Sequence, residues 1–193
     1  MRLVDAPECG PASRFGDTHI YWVLSFLNEK DPIGRSKLSD LTGIGEGSIR
    51  NVIETLKKWQ VINVKQTGMT LTESGRKLLD SIPMKLIQVE KSEYAIGAYQ
   101  QGVLVKGVAG KIAKGTYKKE RGMLAGANGA AVFMIKEGRL IMPKNWDMDT
   151  RDPKFARHLR DEGIEEGDAI IISGANDSRV ATISAISIAL DLL

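Results

Sequence analysis

Residues 34–53 constrain this chain more than any other stretch: Gly-Arg-Ser-Lys-Leu-Ser-Asp-Leu-Thr-Gly-Ile-Gly-Glu-Gly-Ser-Ile-Arg-Asn-Val-Ile. Ser36 is a residue type that caps helices, and Leu38 and Leu41 follow it at helical spacing. Gly43 stands where a glycine just past the last turn ends a helix. A second helix is predicted to start near Glu46 or Gly47. Its inward face is Ile49, Val52, Ile53 and Leu56, with Trp59 closing the last turn. Two short helices joined by a glycine-bearing turn is the helix-turn-helix layout, in which the second helix lies in the DNA major groove.

The flanking residues extend that unit. Asp17 can cap a first helix carrying Ile20, Val23, Leu24 and Leu27 inward, which Asp31-Pro32 stops. After the second motif helix, Val61-Ile62-Asn63-Val64-Lys65 reads as an alternating strand. Gln66-Thr67-Gly68 makes a turn, Met69–Thr72 returns as a strand, and Thr72-Glu73-Ser74-Gly75 opens a helix that ends before Pro83. This strand, turn, strand and Thr-Glu-x-Gly helix resemble the end of prokaryotic winged-helix regulators. Over residues 15–83 the chain is similar to the N-terminal domains of sugar-responsive repressors.

The outward face of the second motif helix carries Ser48, Arg50, Asn51, Glu54, Thr55, Lys57 and Lys58. Arginine suits guanine, asparagine suits adenine, and small residues let a backbone approach phosphates. The expected DNA-binding set is Arg35, Ser36, Gly47, Ser48, Arg50, Asn51, Lys57, Lys58 and, in the wing, Lys65. The charge supports this only mildly: residues 1–83 hold 11 Lys+Arg against 10 Asp+Glu.

The length of 193 residues admits one large or two small domains, and 26% charged with 42% hydrophobic residues is ordinary for a globular chain. No apolar stretch reaches membrane-spanning length and no secretory signal is evident, so a cytoplasmic protein is expected. One cysteine, Cys9, excludes an intramolecular disulfide and cysteine-rich zinc sites, and is read as a passive residue of a leader over 1–14. His19 and His158 are the two histidines; no catalytic constellation, metal site or cofactor is predicted.

Beyond Pro83 the pattern changes. Strands are predicted at Lys85–Val89, Gly102–Lys106, Ala131–Ile135, Arg139–Met142 and Ala169–Ser173. Helices are predicted at Gly110–Leu124, Pro153–Glu162 and Ser178–Leu192. Tyr94–Tyr99 fits either a strand or irregular chain. Ile170-Ile171-Ile172 does not alternate, so its strand is expected at the centre of a sheet covered on both faces. The final helix is apolar on several sides, and therefore deeply buried or part of a dimer interface. The overall expectation is α+β: an N-terminal winged helix-turn-helix and a small C-terminal mixed α/β domain over 84–193.

Three features of the second half bear on chemistry. Gly174, Asn176, Asp177, Ser178 and Arg179 lie between a strand and a helix, where free backbone N–H groups and an arginine suit an anionic ligand. The plainer reading is that Asp177 or Ser178 caps the helix. Lys111, Lys114, Lys118 and Arg121 fall on one helix face and, with Lys106 and Lys119, suit an anionic partner or a solvated face. Gly107, Gly110, Gly126, Asn128 and Gly129 punctuate junctions that can line a pocket mouth or simply make turns. Asp147, Asp149 and Asp152 lack the calcium-loop pattern and are read as a solvated loop.

Across most of its length the chain also resembles an uncharacterised archaeal family in which a winged helix precedes an α/β domain of unknown function. The matching features are Gly-x-Ser-Ile-Arg, the Gly-Ala-Asn-Gly-Ala-Ala-Val-Phe segment leading to Gly-Arg-Leu-Ile-Met-Pro, and Glu-Gly-Asp-Ala-Ile-Ile-Ile-Ser-Gly-Ala-Asn-Asp-Ser-Arg. The resemblance implies a regulator with no catalytic residues to carry over. A homodimeric regulator of double-stranded DNA is therefore expected, its C-terminal domain serving dimerisation, sensing of a small anionic ligand, or both. The rival readings are a small-molecule enzyme and a protein-interaction module with an appended winged helix.

Overall fold

The computed structural model describes residues 16–28, 31–113, 123, 125–143 and 146–193. The chain divides into two compact units, one ending at Ile82 and the other starting at Pro83.

The first unit holds α1 (Asp17–Leu27), α2 (Arg35–Thr42), α3 (Glu46–Lys58), β1 (Ile62–Lys65), β2 (Gly68–Leu71) and α4 (Glu73–Ser81). Its core joins Ile20, Val23, Leu24 and Leu27 of α1 to Leu38 of α2 and to Ile49, Val52, Ile53 and Leu56 of α3, with Met69 and Leu71 beneath. The inward sets read from helical periodicity are the buried ones in α1 and α3, whereas in α2 Leu38 is buried and Leu41 only half-buried. Two caps differ from expectation. Gly16, not Asp17, precedes α1, and Gly34, not Ser36, precedes α2. The second shift has a visible cause: Ile33 is held extended by paired hydrogen bonds with Met69, 3.0 and 2.9 Å long, and the chain turns into the helix directly after it, with Gly34 at the cap. Gly43 ends α2 in the left-handed conformation at φ 69°, its N–H donating to the Ser39 carbonyl at 2.8 Å.

The wing is an antiparallel pair with Lys65 opposite Gly68 around a Gln66-Thr67 turn. The alternation expected over 61–65 is absent. Val61 and Ile62 are both buried, while Asn63, Val64 and Lys65 are all exposed. The strand enters the core at its base, while its outer residues 63–65 stand beyond the core. Thr72 caps α4, accepting from the Gly75 N–H at 3.0 Å and donating to the Gln60 carbonyl at 2.9 Å.

His19, in the first turn of α1, accepts a hydrogen bond from the Gly16 N–H at 3.3 Å through Nδ1. Burial holds its imidazole below the ordinary 6.5. The unfolded chain therefore binds the proton more readily than the folded one. The stability contributed by neutral His19 is present above pH 6.5 and is lost as pH falls from there through the depressed folded value. Urea midpoints measured from about pH 8 to about pH 5 should fall on the acid side, and the His19→Gln variant should flatten that part of the curve. An unchanged slope in the variant would assign the pH dependence elsewhere.

The second unit holds β3 (Met84–Ile87), β4 (Tyr99–Val105), α5 (Ala109–Ala113), β5 (Gly129–Lys136), β6 (Arg139–Met142), β7 (Trp146–Asp147), α6 (Met148–Arg151), α7 (Pro153–Asp161), β8 (Ala169–Ala175) and α8 (Ser178–Leu192). Residues 94–98 are irregular, and the strand begins at Tyr99. The sheet order is β3-β4-β8-β5-β6-β7, and every pairing is antiparallel. All seven residues of β8 are buried, at the sheet centre. One face of β8 puts Ile170 and Ile172 into a cluster with Leu104, Phe133, Phe155 and Leu159. The other face lies under α8, which packs on β4 and β8. Coverage on both faces explains the unbroken isoleucine run, here in an antiparallel sheet rather than a parallel one. α8 has nine buried residues within the single chain, so burial accounts for its apolar character.

The β5–β6 hairpin turns through Glu137 and Gly138, both at positive φ (55° and 72°). The Glu166 carboxylate accepts from their N–H groups at 2.8 and 2.9 Å, which holds it below the ordinary carboxylate range. β7 and α6 were not foreseen. They also correct the reading of Asp147, Asp149 and Asp152 as a solvated loop. Asp147 caps α6, and Asp152 caps α7 while accepting from the Tyr94 hydroxyl at 3.1 Å. Asp149 accepts from the Leu140 N–H and grips the Arg160 guanidinium at 2.8 Å, which pulls its carboxyl below the usual range.

Candidate nucleic-acid interface

Three elements of the first unit meet around one groove of about 450 Å³: the start of α2, the outer face of α3, and the wing. Gly34, Arg35 and Ser36 line it from α2, Arg50, Ile53 and Glu54 from α3, and Val64 to Met69 from the wing. The Ile33–Met69 bridge sets the wing against the start of α2, and Gly68 makes the approach feasible. At φ 133° a Cβ on Gly68 would stand 2.9 Å from the Pro32 carbonyl carbon.

Of the nine residues expected to face DNA, Arg35, Ser36, Arg50 and Lys65 line this groove. Gly47, Asn51, Lys57 and Lys58 are exposed on α3 outside its lining, and Ser48 is half-buried. Both α2 and α3 begin on glycines that offer no side-chain cap. The start of α2 lines the groove, and its uncapped first turn suits phosphate oxygens, whereas Glu46 occupies the first turn of α3. A Cβ at Gly34 or Gly47 would meet nothing within 4 Å, so these glycines keep the surface low rather than relieve a clash.

The ion pairs on this surface sort the cations. Arg35 reaches Glu46 at 3.9 Å and Lys57 reaches Glu54 at 3.3 Å, all four side chains being largely exposed. Among the described residues Arg50, Lys58 and Lys65 form no ion pair, which leaves their charge available to an anionic partner. Sequence reasoning missed Gln66 and Thr67 at the wing tip, although their place in a polar turn was the available signal. It also left Glu54 and Val64 without a role.

The candidate ligand loop of the second unit is engaged with itself. Gly174 is not in the loop but inside β8, paired with Gly129 and Gln100. The Asp177 carboxylate accepts from the Arg179 N–H at 2.8 Å and the Val180 N–H at 3.4 Å, so it fills the helix start that an anion would use. Arg179 folds back onto the same carboxylate at 3.0 Å, which lowers the carboxyl and raises the guanidinium. Ser178 is the first residue of α8, and Asn176 is exposed ahead of it. Lys111 is committed to the end of α8, donating to the carbonyls of Leu192 and Leu193. Lys114, Lys118, Lys119 and Arg121 lie outside the described residues, as do Cys9 and the leader. Lys106 is drawn to Asp168 at 2.8 Å and Glu165 at 3.2 Å rather than to any open face. His158 accepts from the Glu90 N–H at 3.0 Å. Among the described residues no cluster of three or more His, Cys, Asp or Glu is arranged to hold a metal ion.

A family model described as CggR N-terminal DNA binding domain matches residues 18–86, and one described as domain of unknown function (DUF4443) matches residues 96–192. The central glycolytic genes regulator of Bacillus subtilis is 40% identical over 57 residues, which is 30% of this chain and 17% of the regulator. The regulator of the same name from Priestia megaterium is 36% identical over 59 residues, 31% of this chain and 17% of that one. The match spans less than a fifth of the length of these relatives. Among solved structures, the hypothetical protein PH0730 from the archaeon Pyrococcus horikoshii OT3 shares the fold with a TM-score of 0.73, at 23% identity and over 93% of each chain. The N-terminal domain thus resembles the DNA-binding domain of glycolytic gene regulators, and the chain belongs to the DUF4443 family.

Proposed function

We propose that this protein is a homodimeric transcriptional regulator that binds double-stranded DNA in the cytoplasm. The observation that carries the reading is the groove between α3 and the wing, bordered by the uncapped start of α2 and by Arg50 and Lys65, on a domain like that of known regulators. In this reading α3 enters the major groove. Arg50 and Asn51 face base edges, Ser48 and Gly47 let the backbone approach, and Arg35, Ser36, Lys57, Lys58 and Lys65 hold phosphates. Two copies engage two half-sites, which supplies an affinity that one short helix does not. The C-terminal unit joins the copies, and a small anionic ligand that prefers one arrangement would reset the spacing of the two α3 helices. No catalytic role is assigned to that unit, and the loop at 176–179, closed by Asp177, is not assigned as the seat of that ligand. Among the described residues no helix is long and apolar enough to cross a membrane.

The test is selection of genomic DNA fragments by the purified protein across a salt series. A palindromic motif, weakened by salt, is the expected result, and no enrichment even at low salt would remove the reading. Asn51→Ala should relax the motif at one position, by roughly 1–3 kcal/mol of discrimination. Lys58→Ala should weaken all sequences alike and lower the salt slope by about 1. Loss of one base preference in the lysine variant would reverse these two roles.

A further inference from the structure

Glu54 stands out on the surface just described. It lies on the outer face of α3, one turn after Arg50 and one turn before Lys57 and Lys58, and it lines the groove beside the wing. Its side chain is 55% exposed, and among the described residues its one ion-pair partner is Lys57, at 3.3 Å. An exposed pair of this kind contributes little to stability. The carboxylate is also too far along the helix to interact with the positive end of the dipole, a place that Glu46 already holds. Folding therefore gives little reason for a negative charge here. On a surface that approaches phosphates, a carboxylate repels nearly everything it meets. The base-edge donors of the major groove are the exception, above all the cytosine N4 amino group.

We infer that Glu54 is a specificity-determining residue that accepts from a cytosine amino group, an inference that rests on the DNA-binding reading above. Arg50 and Glu54 are four residues apart, a rise of about 6 Å along the helix. Against a base-pair spacing of about 3.4 Å, this puts the cytosine roughly two steps from the guanine that Arg50 faces. Lys57 makes the arrangement conditional. On a wrong sequence Glu54 keeps its pair with Lys57, and both the carboxylate and the occupied lysine weaken binding. On the right sequence cytosine replaces the lysine as partner, and Lys57 is released to a phosphate. Glu54 thus acts by making other sequences worse, the repulsive half of specificity.

Site selection from a random DNA pool, run in parallel on the wild type, Glu54→Gln and Glu73→Gln, tests the inference. Glu73, on α4, controls for the change of net charge; it lies outside the groove lining and pairs with Lys77. In the wild-type and Glu73→Gln motifs a cytosine should appear about two positions from a guanine. Glu54→Gln should keep the guanine and lose the cytosine, because glutamine favours adenine. The cytosine preference should fall by about tenfold, and affinity for random duplex should rise severalfold. An unchanged Glu54→Gln motif would overturn the inference while leaving the DNA-binding reading intact. Failure of the wild type to select any motif would overturn both. Because Glu54 is exposed and glutamine has the same shape, an unchanged melting curve should accompany either motif.

Discussion

Gly75→Ala should destabilise the N-terminal unit strongly. A Cβ at this position would overlap the carbonyl oxygen of Val61, and would sit 3.0 Å from its carbon and 3.2 Å from Leu71 Cδ2. The carbonyl cannot swing aside freely, since it accepts from the Thr72 N–H at 2.9 Å. Moving α4 instead would strain the bonds by which Thr72, its cap, donates to the carbonyls of Gln60 and Val61. The expected cost is about 3 kcal/mol, the upper end for forced overpacking, or a fall of more than about 10 °C in the melting temperature of this unit. Gly47→Ala is the matching control, because its Cβ meets nothing within 4 Å and alanine is the better helix former. It should raise stability by up to about 1 kcal/mol. Equal melting temperatures for the two variants would show that α4 can shift away from Val61 without loss.

The second large effect is expected from Asp168→Ala in the other unit. Asp168 is 4% exposed at the start of the central strand. Its carboxylate accepts from Lys106 Nζ at 2.8 Å and from the N–H groups of Gly107 and Glu165, both at 3.0 Å. The pairing raises the Lys106 ammonium above its ordinary value, the hydrogen bond to Asp168 being the main cause. Alanine would leave the two N–H groups unpaired where the chain enters β8, and would free a lysine that is itself 43% exposed. Water can recover the lysine but not the enclosed amides, so the expected cost is about 3 kcal/mol rather than that of a fully buried pair. Hydrogen exchange checks it directly. Amides of 169–175 should lose protection in the variant, and Asp168→Asn, which keeps one acceptor, should fall between. Full protection of the strand in Asp168→Ala would show that the cluster only decorates the surface.

These two positions also show how far the residues speak for themselves. The glycine of Thr-Glu-Ser-Gly and the aspartate of Glu-Gly-Asp were both visible as parts of motifs, but their partners, Val61 and Lys106, are 14 and 62 residues away in sequence. Local signals worked where one helix or turn decides the outcome: the inward face of α3, Gly43, the cap of α4, and Asp177 before α8. They misplaced the start of α2, because a strand-like bridge to Met69 outweighs the capping preference of Ser36. They indicated a central position for β8 from three isoleucines, but not its antiparallel neighbours, since burial on both faces erases the period that would distinguish them. β7 and α6 are too short to carry any period. In the candidate interface the cations were legible as exposed positions on a helix. The groove was not, because it exists only where the wing folds beside α3.

The bridge between Ile33 and Met69 ties the wing to the start of α2, so two of the borders of the groove are joined by hydrogen bonds. A duplex seated there would meet two borders already joined to each other. Under the DNA-binding reading, the protein does not adjust its grip to each sequence, and the helix of DNA must bend or narrow to fit. Sites rich in easily deformed steps would then bind better than stiff ones of identical contact sequence. The measuring device would be the backbone of the wing itself, gauging the flexibility of base pairs that no side chain reaches.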